Sequence, residues 1–270
     1  MSTETWIPEG LDLEMPNSAR IYDYFLGGHH NFEIDRLVGE KALEIYPDGR
    51  LAAQACRAFL RRVVNFLADQ GIGQFLDIGS GLPSLGNVHE VAQKANPVAR
   101  VVYVDIDPVA VAHARAMLKD NLNATAIQVD ARWPDKILNH AEVKDLLDFR
   151  RPAALLFLTF LHYIGDDDEA HNTVSTLGDA LVPGSYIAIS HGTYDNAPPG
   201  VAEQMEKLGG GTSTPSKYRS RAEIREFFQG LEVVEPGLVY IPLWRPEGPD
   251  DVLLDEPERV LVFGGVGRKL

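Results

Sequence analysis

The sequence predicts an α/β chain built on a doubly wound, mostly parallel sheet. Two patterns carry that prediction. Short apolar, strand-like runs recur at 75–78, 101–105, 125–129, 154–159 and 186–190, and helical stretches alternate with them near 86–95, 109–119, 134–140 and 168–181. Such alternation covers both faces of a parallel sheet with helices. The third observation is the loop after the first run, in Phe75-Leu76-Asp77-Ile78-Gly79-Ser80-Gly81-Leu82-Pro83. It reads as a buried strand feeding a tight turn where backbone comes close to something. Right-handed crossovers put the ligand crevice of such a sheet at the carboxyl ends of its first strands.

Taken in order, residues 1–17 are polar and contain prolines, as a loose arm would. Ser18 is placed to cap a short helix to Leu26, ended by Gly27-Gly28. A second helix is expected over 33–46, stopping before Pro47, and a third over 51–68, ended by Gly71. Leu51, Ala55, Phe59, Val63, Phe66 and Leu67 share one face of the third. Residues 194–217, with Gly209-Gly210-Gly211, read as a mobile loop around one short helix. Ser220-Arg221-Ala222-Glu223 is a capping box opening a helix to Phe228. Runs at 231–234, 238–241 and 259–263 read as strands, with an antiparallel hairpin closing one sheet edge. The implied division is an N-terminal arm and helical lid over 1–70 and an α/β unit over 71–270.

Bulk composition narrows the function. The 270 residues are 45% apolar, enough for a sizeable core. Formal net charge is −14, from 25 basic and 39 acidic side chains. That field repels phosphate backbones, so nucleic acid is not expected as a partner. Arg57, Arg61 and Arg62 cluster on the third helix and read as a solvated face. The single cysteine, Cys56, leaves no intrachain disulfide and suits a reducing compartment. No signal-peptide pattern starts the chain, and no apolar run approaches the ~20 residues that span a bilayer. A soluble cytoplasmic protein is the expectation. His29-His30 lacks partner ligands at metal-site spacing, so no metal site is expected.

Chemistry concentrates at the strand ends. Gly79 and Gly81 fit the first two glycines of G-x-G-x-x-G, but Ser84 stands at the third, and no Gly-Lys-Ser/Thr follows. The loop therefore fits neither a dinucleotide nor a triphosphate. A glycine loop preceded by Asp77 suits a ligand that lacks a pyrophosphate and carries positive charge, as S-adenosylmethionine does. Asp105 ends the second strand, where a carboxylate can accept both hydroxyls of a ribose. Asp130 follows the third, where it can accept the exocyclic amine of adenine. Asp107, before Pro108, reads as a helix N-cap.

On these residues the chain resembles the class I S-adenosylmethionine-dependent methyltransferases. It is similar in particular to an actinobacterial group of them known mainly as a domain of unknown function. That likeness spans nearly the whole chain. Its marks are Ala19-Arg20-Ile21-Tyr22-Asp23-Tyr24-Phe25-Leu26-Gly27-Gly28, Asn31-Phe32, Asp35-Arg36, the Asp77–Pro83 loop, Tyr103-Val104-Asp105-Ile106-Asp107-Pro108 and Phe263-Gly264-Gly265-Val266-Gly267-Arg268-Lys269. The resemblance implies a Rossmann-like, seven-stranded sheet with S-adenosylmethionine as cofactor and S-adenosylhomocysteine as product. It implies Asp77, Gly79, Gly81, Asp105, Asp130 and Ala131 as cofactor contacts. The N-terminal segment would be a lid touching the cofactor through Tyr22, Asn31 and Arg36, or a helical pair packed on the sheet edge.

His162 and His191, at the fourth and fifth strand ends, are the candidate bases for an oxygen or nitrogen acceptor. The fourth strand end lacks an Asp-Pro-Pro-Tyr motif, a second argument against a nucleic-acid acceptor. Methyl transfer to a small molecule is the leading expectation. A cofactor-binding sensor without methyl transfer is the alternative, and the missing third glycine disfavours a nicotinamide oxidoreductase.

Overall fold

A computed structural model describes residues 14–84, 86–249 and 251–270. The arm expected over 1–17 therefore lies mostly outside the described residues. Three helices come first: α1 (Ser18–Phe25), α2 (Glu33–Ile45) and α3 (Gly49–Asp69). Strands β1 (Gln74–Ile78), β2 (Arg100–Asp105), β3 (Ala124–Gln128), β4 (Ala154–Leu158) and β5 (Tyr186–Gly192) then alternate with α4 (Val88–Ala95), α5 (Pro108–Met117), α6 (Pro134–Asn139), α7 (Ala141–Leu146) and α8 (Asp167–Asp179). The helix expected over 134–140 is α6, and a second short helix, α7, follows it after His140. After β5 come α9 (Val201–Gly209), α10 (Arg221–Glu226), β6 (Leu231–Val233), β7 (Val239–Tyr240) and β8 (Val262–Lys269).

The sheet runs β3-β2-β1-β4-β5-β8-β6, with β7 also paired to β8. Its first five strands are parallel. Strand order reverses between β1 and β4, which opens a crevice at their carboxyl ends. β8 is antiparallel to β5 and carries β6 and β7 on its other side, so the sheet edge is made in two short pieces. The last strand was expected at 259–263. Pro257–Val260 instead winds into a 3-10 turn and Leu261 takes a left-handed φ of 50°, which delays β8 to Val262.

Every residue of β1 is buried, as a central strand covered on both faces requires. Phe75, Val101, Tyr103 and Ala188 pack toward α3 and α4, while Leu76, Ile78, Val102 and Leu155 pack on the opposite face. Asp77 falls by alternation on the Phe75 side.

Two local expectations shift. Asn17, not Ser18, caps α1, its side chain accepting from Ala19 N and Arg20 N. The buried arc of α3 runs through Ala52, Ala55, Cys56, Phe59, Val63 and Leu67, whereas Leu51 is exposed. This arc is wide because the turns at 241–243 and 257–260 pack beside the sheet on α3. Arg62 is consequently buried, donating to Trp244 O (2.9 Å) and Ile241 O (2.8 Å) and pairing with Asp251 (3.3 Å). It does not belong to a solvated face. Arg61 does, paired with Glu247.

Candidate active site

The glycine loop closes on β2. The backbone N–H groups of Gly79 and Ser80 both donate to Val104 O, at 2.8 and 3.2 Å. Gly79 has φ +70°, and a Cβ there would lie 2.0 Å from the Phe160 ring. Gly81 has φ +64°, and its N–H donates to the Asp105 carboxylate at 2.7 Å. Both positions need glycine for backbone reasons, and Gly79 needs it also for space.

Asp77, Asp105, Asp107 and Asp130 meet at one cleft of about 570 Å³ beyond the carboxyl ends of β1–β4. Asp77 is buried, and no described residue donates a hydrogen bond to its carboxylate. Burial pushes it up to about 7; Arg57 opposes that rise and Asp105 adds to it. Asp105 accepts from Gly81 N and from Asp107 N (2.8 Å), and burial still pushes it up to about 6. Asp107 caps α5 through Oδ1, as expected. Its Oδ2 is buried with no hydrogen-bond partner, 4.0 Å from the Arg20 guanidinium. Asp130 sits at the rim, gripped by Arg132 at 2.6 Å. Partial burial raises its carboxyl, but the Arg132 hydrogen bonds hold it below the usual range. Ala131 is buried in the wall beside it.

The N-terminal helices form part of this cleft. Asn17, Ala19 and Tyr22 line it, and the Tyr22 hydroxyl donates to Ala53 O (3.1 Å). Asn31 and Arg36 line neither this cleft nor the chamber described next. Asn31 donates to Asp23 (2.8 Å) and Gly28 O (3.0 Å), and Arg36 donates to Asn31 O and Oδ1, both at 3.0 Å. They brace the bend after α1. Sequence reasoning missed Arg20, which is 2% exposed and pairs with Asp35 at 2.8 Å. It also missed Arg57 and Phe160 in the cleft lining, and Ile106, an exposed apolar side chain between the two acids Asp105 and Asp107. Ile106 alone left a signal, since the run Asp105-Ile106-Asp107 sits at a strand end.

A second, smaller chamber of about 190 Å³ adjoins the first. Tyr22, Cys56, Thr159 and Tyr163 line both. Its walls come from α1, α2, α3, α9 and the segment around Tyr218. Thr159, at the end of β4, has φ +54°, a strained conformation for a β-branched residue. Its N–H is held by Ser190 through both O and Oγ, each at 2.9 Å.

His162 lines this chamber; His191 lines neither space. The Gly192 N–H approaches His162 Nδ1 at 3.5 Å, a long contact that favours the tautomer with the ring proton on Nε2. Burial pushes His162 well below the usual histidine range, and His191 and Arg219 push it further. His191 is occupied on both nitrogens, with Nδ1 donating to Gly192 O (2.7 Å) and Nε2 accepting from Arg219 (3.0 Å). Burial pushes it down to about 4. Arg219, 2% exposed, also donates to Leu161 O, Ile164 O and Asp167.

The model of the S-adenosyl methyltransferase family matches residues 4–270. The chain belongs to that family. A candidate methyltransferase from Thermobifida fusca is 42% identical over 98% of this chain and 99% of its own, with a TM-score of 0.91. A DUF574 family protein from Streptomyces avermitilis is 37% identical over 96% of this chain and 99% of its own, also with a TM-score of 0.91. An O-methyltransferase family protein from Burkholderia thailandensis shares the fold at 14% identity, covering 82% of this chain and 59% of its own, with a TM-score of 0.53. No curated protein matches.

The cofactor of this family is S-adenosylmethionine, and the cleft fits it. The unbonded Asp77 carboxylate and the orphaned Asp107 Oδ2 suit a ligand that brings cations and hydroxyls, and the left-handed glycines allow backbone approach. Among the described residues, no three His, Cys, Asp or Glu side chains converge as a metal site, and no helix is long and apolar enough to cross a membrane.

Proposed function

We propose that the protein methylates a small-molecule oxygen or nitrogen held in the smaller chamber. S-adenosylmethionine supplies a methyl group activated by its sulfonium. In this reading Asp77 and the Gly79–Gly81 turn hold the cationic amino-acid portion, Asp105 holds the ribose, and Asp130 with Ala131 borders the adenine. Tyr22, on α1, stands between cofactor and acceptor, so the helices α1 to α3 act as a lid. Asn31 and Arg36 support that lid from behind.

The observation that carries this reading is the shared border of the two cavities at Tyr22, Thr159 and Tyr163. A sensor needs a cofactor cleft alone, whereas a transferase needs a second space opening onto it. Binding in adjoining sites turns an encounter into an aligned displacement. His162, neutral and bearing its proton on Nε2, orients the acceptor as a hydrogen-bond donor; His191 and Arg219 position it. The negative field favours a small-molecule partner over nucleic acid, and the lone buried thiol fits a cytoplasmic setting.

Calorimetry with S-adenosylmethionine, S-adenosylhomocysteine and NAD tests the cofactor half. The first two should bind, and Asp105→Ala should weaken both by about 1.5–3 kcal/mol. Binding of NAD alone, or unchanged affinity in the variant, contradicts the assignment.

A further inference from the structure

The smaller chamber differs from the cofactor cleft in one respect that bears on its occupant. The cleft is lined by Asp77, Asp105, Arg57, Arg132 and Lys217 among others. Among the described residues, none that lines the chamber is an Asp, Glu, Lys or Arg. The lining groups that could titrate stay neutral: burial holds the Cys56 thiol up at about 12, raises the Tyr22 and Tyr163 phenols, and keeps His162 uncharged.

Polarity is also graded along the chamber. The residues shared with the cofactor cleft, Ser18, Tyr22, Cys56, Thr159, Tyr163 and Ser216 among them, carry hydroxyl or thiol groups. Those that line the chamber alone include Phe25, Val38, Ala42, Met205 and Leu208. An occupant therefore meets hydroxyl and thiol groups at the cofactor border and a largely apolar wall elsewhere, interrupted by the hydroxyls of Tyr46, Tyr194, Thr212 and Tyr218 and by the His162 ring. The rings of Phe25, Tyr46, Tyr194 and Tyr218 offer faces and edges for an aromatic guest, and the Met205 thioether adapts to one. The volume of about 190 Å³ is slightly larger than the ~150 Å³ apolar cavity that holds one benzene.

We propose that the acceptor is an uncharged, single-ring phenol, bound with its hydroxyl at the Tyr22–Thr159–Tyr163 border and its ring in the apolar part. This rests on the reading of the chamber as the acceptor site. Carboxylate, phosphate and ammonium groups are rejected because no described residue lining the chamber offers a counter-charge, and an unpaired ion in apolar surroundings is strongly disfavoured. In the reaction a phenolic oxygen lone pair forms the new bond to the methyl carbon. The carbon–sulfur pair stays on sulfur, turning sulfonium into thioether, and the phenolic proton passes to water.

The test uses three one-ring phenols that differ only opposite the hydroxyl: p-cresol, 4-hydroxybenzoate and tyramine. Each is titrated by calorimetry into protein saturated with S-adenosylhomocysteine. p-Cresol should bind at least about tenfold more tightly than either charged probe. Leu208→Lys, at a half-buried chamber position on α9, should shift the preference toward 4-hydroxybenzoate. Binding of p-cresol no tighter than the charged probes, absent binding included, overturns the inference while leaving the cofactor site intact. Failure of S-adenosylhomocysteine itself to bind overturns the methyltransferase reading instead.

Discussion

Asp77→Asn should stabilise the unliganded protein at neutral pH while weakening its hold on the cofactor. The Asp77 carboxyl is buried and receives no hydrogen bond from a described residue, and burial lifts it from an ordinary 3.8 to about 7. Between those values the folded chain keeps a proton that the unfolded chain has released. Stability therefore falls as pH rises through that window, and the fall is complete once the folded group ionises. For these two values the loss between about pH 5 and pH 8 is about 3 kcal/mol, an order-of-magnitude figure.

Asn carries no such charge, so the variant should lose this portion of the slope. Asp105, lifted to about 6, contributes a slope common to both proteins. Urea unfolding of the unliganded chain at several pH values measures the difference. In parallel, wild-type affinity for S-adenosylmethionine should rise with pH as Asp77 becomes the carboxylate facing a cation, and the variant should bind more weakly with a flatter profile. Identical stability profiles for the two proteins would refute the reasoning, because they would mean Asp77 is solvated or bonded in the folded state.

Three further outcomes follow from the geometry. Gly79→Ala forces a Cβ into the Phe160 ring at a left-handed backbone position, so cofactor affinity should fall at least about tenfold, and a second change, Phe160→Ala, should recover part of it; full affinity in the single variant contradicts the packing. Arg219→Ala removes the buried donor to His191, Leu161 O and Ile164 O and should cost about 3 kcal/mol in denaturant unfolding; a cost within error of zero would mean the network is not formed. With an acceptor in hand, His162→Asn should retain turnover within about tenfold because it keeps an N–H donor, while His162→Phe should lose more; equal losses, with a new acid limb in the wild-type pH profile, would restore His162 as a base.

Elements set by local pattern were legible in the sequence. The five parallel strands, the Asp107 cap ahead of Pro108 and the Ser220–Glu223 capping box all follow from neighbours in the chain, and all are found near their expected places. The convergence of Asp77, Asp105 and Asp130 was legible too, since topology alone brings the ends of β1, β2 and β3 to one sheet edge. What the sequence hid depends on distant partners. Arg62 looked solvated because nothing local shows that Trp244 and Ile241 carbonyls, nearly two hundred residues on, would cover it. His191 looked like a base because Arg219 and the Gly192 carbonyl occupy its nitrogens only in the folded chain. Asn31 and Arg36 sat in a motif that promised cofactor contact, yet they bond to each other, and Asn31 bonds also to Asp23. The adjoining chamber, and its lining of described residues without charge, required the assembled walls.

The most direct test of the proposed function is transfer of an isotopically labelled methyl group from S-adenosylmethionine into a fractionated extract. The expected result is label in a small, uncharged molecule, dependent on the protein and lost with Asp105→Ala. Measurable cofactor binding with no labelled product in any fraction, or label confined to nucleic acid, would contradict it.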